Sequence, residues 1–233
     1  MTTSTEDREL FGPGQVPALR AAVSDLSWLL SRGYSEPAAL KLVGDRRGLD
    51  ARQRRGVLSC ACADAARQSR LARRVDGLPV GTRLLVDGLN CLITIQTAIR
   101  GGLVLRGRDG AHRDLAGVHG AFRGDTTTAV AVRHIGERIG ARPTLWYLDR
   151  PVSGSGELRA LLLRLAGEAG WPWEAELHPD PDRPLASPGD AVVATSDSVV
   201  LDACGPWLDL AGLVIGELPD RWVVDLGDPI PSK

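Results

Sequence analysis

Three short apolar runs in this chain end in an aspartate: Asp87 in LLVDGLN, Asp149 in LWYLDRP and Asp197 in VVATSDS. A short apolar run bounded by turn formers reads as a buried strand. Ligands of open parallel α/β sheets bind beyond the C-terminal strand ends. Three carboxylates gathered there repel one another in a partly desolvated cleft, and a divalent cation relieves that repulsion. Oxygen-only donors select Mg²⁺ or Mn²⁺ rather than zinc. Such a site can activate water and stabilise charge on a phosphoryl group. Asp87, Asp149 and Asp197 are therefore the candidate metal ligands and catalytic residues. Any one of them could instead cap the turn or helix that follows it. Their shared position after an apolar run argues for a shared site.

Other polar groups could serve such a site. Asn90, three residues after Asp87, could bond a phosphate or hold the turn, with Gly88 supplying backbone freedom between them. Ser153, Gly154, Ser155 and Gly156 precede a helical pattern, so their N–H groups could cradle a phosphate. Alternatively, they form a helix start with Glu157 in its first turn. Asp109, His112, Arg113 and Asp114 in RDGAHRDL could add a ligand and a proton carrier, or form a solvated loop. The chain has no G-x-x-x-x-G-K-[ST], no G-x-S-x-G and no G-x-G-x-x-G after a strand. P-loop, serine-hydrolase and dinucleotide-cofactor chemistry are thereby unsupported.

The elements that must position these groups follow from periodicity. Residues 1–16 are polar, end in FGPGQVP and read as a disordered tail. Leu19, Val23, Leu26, Leu29 and Leu30 recur at helical spacing. A second short helix starts after Ser35 with Pro37 in its first turn, and a third runs from near Asp50 toward Arg74. These predict an all-α domain over residues 17–76. After the turn-rich junction at Asp76–Pro79, strands alternate with helices over residues 80–233. LLVD, PTLWYLD, WPWEAEL and AVVATSDS are the strands, residues 101–126 are an excursion, and LVIGEL and WVVDL close the chain as strands or a strand–helix pair. Alternation of this kind predicts an α/β domain, with a mostly parallel sheet covered by helices on both faces.

The chain of 233 residues has a net charge of −1, so no global field recruits a polyanion. Charge is uneven, however. Residues 1–76 hold 13 Lys and Arg against 9 Asp and Glu. Arg67, Arg70 and Arg74 are spaced to share one helix face that could track a nucleic-acid backbone. The same face could be solvated or pair with acidic groups. Cys60, Cys62, Cys91 and Cys204 lack zinc-site spacing and read as buried free thiols. With no signal-peptide pattern and no apolar run long enough to span a membrane, a cytoplasmic location is expected.

Taken together, DLSWLLSRGY, ALKLVGDRRGLDARQR, VDGLNCLIT, DRPVSGSG and TSDS resemble the DUF434 and DUF5616 domains of prokaryotic proteins, neither with an assigned activity. The order strand–DGxN–helix, strand–D, strand–SDS is also similar to the PIN and NYN ribonuclease group. That resemblance implies a PIN-like fold with an aspartate-held Mg or Mn site that cuts RNA. It matches Asp87 to the first-strand aspartate, Asn90 to the polar residue after it, Asp149 to the second strand end and Asp197 to the late (S/T)D aspartate. RNA is the implied partner, held in part by the N-terminal arginines. The group usually carries one more acid on a helix before the late strand. Glu157, Asp180, Asp182 and Asp190 are available, none at a clean match, and Gln96 is neutral where an acid could help. A non-catalytic RNA- or protein-binding module and a small-molecule phosphatase or phosphotransferase are the alternatives.

Overall fold

The computed structural model describes residues 5–78, 81–116, 122 and 124–228. The chain opens with α1 (Thr5–Leu10), α2 (Val16–Leu30), α3 (Glu36–Arg46), α4 (Ala51–Cys60) and α5 (Asp64–Arg73). β1 (Arg74–Val75), β2 (Leu84–Asp87), α6 (Gly88–Ile99), β3 (Leu103–Arg106), β4 (His112–Asp114) and α7 (Thr126–Ile139) come next. They are followed by β5 (Thr144–Asp149), α8 (Ser155–Ala169), β6 (Trp173–His178), α9 (Asp182–Ala186) and β7 (Val192–Ala194). The last elements are α10 (Ser198–Ala203), β8 (Trp207–Leu208), α11 (Leu210–Glu217) and β9 (Trp222–Asp225). Among the described residues, no helix is long and apolar enough to cross a membrane.

The chain divides into two compact units. The first contains residues 1–72, 102–115 and 222–233, so it is discontinuous. Its N-terminal region is all-helical, as the periodicity predicts, but three strands from farther along the chain complete it. β3 pairs antiparallel with β4 and parallel with β9. Leu103, Leu105 and Val224 join Leu19, Val23, Leu26 and Val57 in one core. The compact units differ from the linear division at residues 76 and 80 in that the excursion and the final WVVD strand join the helical unit. The expected tail is also corrected, since residues 5–10 are helical. Asp7 is buried against the Arg52 guanidinium, and Phe11 is buried against Gly56 of α4. Residues 1–4 lie outside the described residues.

The long third helix is two helices. An Asp50–Gln53 capping box starts α4, and the chain turns extended at Ala61. Arg108 of the β3–β4 turn binds the carbonyls exposed at the break: its N–H donates to Cys60 O at 2.9 Å and its Nη1 to Cys62 O at 3.0 Å.

The second unit contains residues 73–101 and 116–221. Its six-stranded sheet runs β1-β8-β7-β2-β5-β6, and every pairing is parallel. Helices flank the sheet, with α6 packed against α7 and α11. The central strand β2 is buried at every position, which explains its unbroken apolar sequence. The edge strand β6 alternates buried Trp173 and Ala175 with exposed Glu174 and Glu176. LVIGE lies within α11, not in a strand, and Leu218 follows as its C-cap. From β2 the chain builds outward through β5 and β6, then returns to β7 on the other side of β2. The strand order therefore reverses between β2 and β7, where open α/β sheets form a crevice.

Candidate functional site

Asp87 ends β2 beside that reversal. Gly88 follows because a Cβ there would lie 2.4 Å from the Leu148 side chain and 2.9 Å from Tyr147 O. This close approach lets α6 begin directly at the strand end. Asp87 is 7% exposed, and its Oδ2 accepts a hydrogen bond from Thr195 Oγ1 at 2.8 Å. Thr195 Oγ1 accepts the Asp197 N–H at 3.0 Å, leaving the hydroxyl proton for Asp87. Asn90 Oδ1 accepts both Ser196 N–H and Ser196 Oγ–H at 2.9 Å. Asn90 thus takes the turn-holding role, tying the first turn of α6 to the segment that carries Asp197. Asp197 Oδ1 caps α10, accepting Val199 N–H at 2.8 Å and Val200 N–H at 3.1 Å.

Asp149 ends β5, the other neighbour of β2, and its register partner on β6 is His178. Burial raises the Asp149 carboxyl above its ordinary range, and Asp180 adds to the rise. Asp182 opens α9, where burial and then Asp197, Asp180 and Asp149 raise it too. Burial pushes Asp87 up to about 7, helped by Asp197, Asp149 and Asp182 and opposed by the Thr195 hydrogen bond. The three predicted aspartates therefore share one electrostatic environment. Asp182 enters it as the additional acid that the sequence left unassigned. His178 also lies at this edge: its Nδ1 accepts the Asp180 N–H at 3.1 Å, which leaves Nε2 to carry the ring proton.

Among the described residues, no arginine, lysine or histidine forms an ion pair with Asp87, Asp149, Asp182 or Asp197. Buried carboxylates elsewhere in the chain are matched. Asp7 pairs with Arg52. Asp109 lies between Arg70 at 2.7 Å and Arg113 at 2.6 Å, and these guanidiniums hold its carboxyl far below the usual range. Asp109, His112, Arg113 and Asp114 belong to the first unit and are not part of the carboxylate edge. Among the described residues, no group of three or more Asp, Glu, His or Cys side chains is placed to hold a metal ion.

The arginine face needs correction. Arg70 is buried on Asp109. Arg67 reaches Arg108 O at 3.2 Å and Asp228 at 3.6 Å. Arg74 lies in β1, beyond the end of α5, within 3.9 Å of Asp209 and 4.0 Å of Asp76. These guanidiniums satisfy internal acceptors, so they do not form a free stripe for a phosphate backbone. Gln96 is likewise structural, donating to Thr128 Oγ1 at 2.7 Å within the buried contact of α6 and α7. All four cysteines are free and buried. Burial pushes Cys60 up to about 12 and Cys62 up to about 11.

The Ser153–Gly156 segment starts α8. Gly154 is left-handed at φ 92°, and a Cβ there would meet Phe122 O at 2.0 Å, so only glycine fits. Ser153 and Gly154 line a cleft of about 500 Å³ with Phe122, Asp125, Thr128, Glu157 and Leu161. None of the four clustered aspartates lines it. Ser155 is buried and Gly156 exposed.

Residues 79–213 match the model of a domain of unknown function, DUF5616. The chain belongs to that family. Residues 18–73 match a second family of unknown function, DUF434. An uncharacterized protein of Methanocaldococcus jannaschii is 27% identical over 189 residues, covering 79% of this chain and 89% of that protein. No solved structure matches the chain. The DUF5616 match spans the β2, β5 and β7 ends that carry the carboxylates and stops within α11.

Proposed function

We propose that this chain is a divalent-metal-dependent ribonuclease whose site is the carboxylate edge of the parallel sheet. One observation carries the reading. Four acidic side chains share this edge without a basic partner among the described residues, whereas buried Asp7 and Asp109 are matched by arginine. Asp87 is buried, Asp149 and Asp197 are half-buried and Asp182 is exposed, so the uncompensated charge is costly chiefly at Asp87 unless a cation binds there. The donor chemistry, carboxylate oxygen throughout, fits Mg²⁺ or Mn²⁺. Asp87, Asp149 and Asp197, joined by Asp182, would have to draw together to hold the ion, since no three of them are so placed in the structure. A bound ion would let Asp87 ionise at neutral pH, acidify water for in-line attack and offset charge on the phosphoryl oxygens.

The remaining groups position and shuttle. Thr195 orients Asp87, and Asn90 fixes the segment carrying Asp197. His178 Nε2–H, on the strand next to Asp149, is available to donate a hydrogen bond to a phosphoryl oxygen. Four buried free thiols suit a reducing cytoplasm.

Incubating the full chain with structured and single-stranded RNA in Mn²⁺ tests the proposal. Cleavage should stop with chelator and be lost in Asp87→Asn. Equal cleavage by the variant, or cleavage in chelator, contradicts it. One observation favours a non-catalytic RNA-binding module instead: Asp197 Oδ1 and Asp87 Oδ2 are already engaged in internal hydrogen bonds. That reading predicts salt-sensitive RNA binding that persists in chelator without cleavage.

A further inference from the structure

Three of the five large apolar side chains exposed on the described residues lie on the α2–α3 hairpin: Trp28, Tyr34 and Leu42, each more than half exposed. Trp28 and Leu42 line one concavity of about 390 Å³ between the two helices. Its floor, Leu29 and Val43, is buried. A ligand there would touch Trp28, Leu42 and the rim residues Ser24, Asp25 and Arg46, all at least partly exposed. A single exposed leucine needs no explanation, but an indole held in place beside open space does. The Arg32 guanidinium lies 3.5 Å from the centroid of the Trp28 ring, a cation–π contact, and its Nη1 donates to Trp28 O at 3.2 Å. Arg32 does not line the concavity. The ring is thus clamped by the guanidinium and bare where it meets the concavity.

Charge selects the sign of the ligand. Arg46 forms no ion pair among the described residues, and Arg32 has no carboxylate partner among them. The acid of the rim, Asp25, is neutralised by Arg47 at 2.6 Å. The groove is therefore apolar and cationic. Its length selects the shape of the ligand. The lining runs from Ser24 to Leu29 on α2 and from Leu42 to Arg46 on α3, about 6–8 Å at the helical rise. An amphipathic helix needs anchors at i, i+4 and i+7, about 10 Å of groove. One planar ring with an anion attached fits the shorter space. Every nucleotide of a single strand offers that combination. Single strands are bound by stacking bases on aromatic side chains while cationic side chains neutralise the phosphates.

We infer that the α2–α3 groove binds single-stranded RNA, with one base stacked on Trp28 against Leu42 and an adjoining phosphate on Arg46. The choice of RNA as the strand rests on the proposed ribonuclease function. The groove itself lies within residues 24–46 and shares no residue with the carboxylate edge. It offers the contact that Arg67, Arg70 and Arg74, committed to internal acceptors, do not. Stacking on an indole accepts any base, so the groove supplies affinity rather than sequence selectivity.

Fluorescence anisotropy of a labelled oligouridine, titrated with the full chain in chelator, tests the groove apart from cleavage. The wild type should bind saturably, and at least about fivefold more tightly than an abasic strand of the same length. Trp28→Ala should weaken oligouridine about tenfold, the loss of one base–aromatic stack, and leave the abasic strand unchanged. Trp28→Phe, which keeps an aromatic face, should recover most of that affinity. Arg46→Gln should reduce the slope of log affinity against log salt by about 0.7, one phosphate contact on a single strand. Arg55→Gln removes an exposed charge of α4 outside the groove and should bind like the wild type. No binding, equal affinity for the abasic strand, unchanged oligouridine binding by Trp28→Ala, or equal weakening by Arg55→Gln overturns the inference. So does a dimer that Trp28→Ala converts to monomer without any RNA binding, which would assign this face to self-association. The two proposals fail separately. RNA cleavage in Mn²⁺ with binding indifferent to Trp28 removes the groove and leaves the nuclease. Trp28-dependent binding without cleavage removes the nuclease and leaves the groove.

Discussion

Replacing Asp87 with asparagine isolates the electrostatic cost of the carboxylate edge. The substitution keeps the side chain's shape and an oxygen that can accept the Thr195 hydroxyl proton, but removes the titration. In the folded chain Asp87 is pushed up to about 7 from an ordinary 3.8. The folded state therefore holds this proton more tightly than the unfolded state does. The stability linked to Asp87 is fully present below about pH 4 and is lost as pH rises through about 7. At about 1.4 kcal/mol per pH unit across that window, the loss is on the order of 4 kcal/mol. Asparagine escapes it. Urea unfolding without divalent metal, followed through the fluorescence of Trp146, Trp173 and Trp207 in the sheet unit, reads the difference. The variant should be close to the wild type near pH 4.5. By pH 8 it should be more stable by roughly 3–4 kcal/mol. Parallel pH profiles for the two proteins would refute the reasoning, because Asp87 would then carry no excess proton affinity in the fold.

Two substitutions probe how the chain satisfies its other constrained positions. Asp109→Asn leaves Arg70 and Arg113 buried with unmatched charge, and chemical unfolding should show a loss of about 3–5 kcal/mol. Gly154→Ala forces a methyl group against Phe122 O at a left-handed residue. Its thermal midpoint should fall, with a cost above about 1 kcal/mol.

The carboxylate edge was legible because its signals are local. LLVD and TLWYLD are short apolar runs that each end in an aspartate of that edge, and alternation with helices implies parallel neighbours. What escaped reading depends on partners distant in sequence. Leu103 pairs with Trp222, and neither LVLR nor WVVD announces that pairing or the helical unit it completes. Residues 5–11 look like a polar tail because Arg52 and Gly56, which hold Asp7 and Phe11, lie more than 40 residues away. Arg67, Arg70 and Arg74 resemble a nucleic-acid face for the same reason: Asp228, Asp109 and Asp209 come later in the chain. Asp182 had no assignable role until the sheet register brought the ends of β5, β6 and β7 to one edge.

The most direct test of the central claim is a Mn²⁺ titration by calorimetry on the full chain at pH 8, alongside Asp87→Asn and Asp197→Asn. The account predicts saturable binding by the wild type and its loss in both variants. It also predicts a gain in wild-type stability of about 2.7 kcal/mol when the metal is at a hundred times its dissociation constant. Mn²⁺ binding that is unchanged in both variants, or no binding by the wild type, would contradict a metal site at the carboxylate edge.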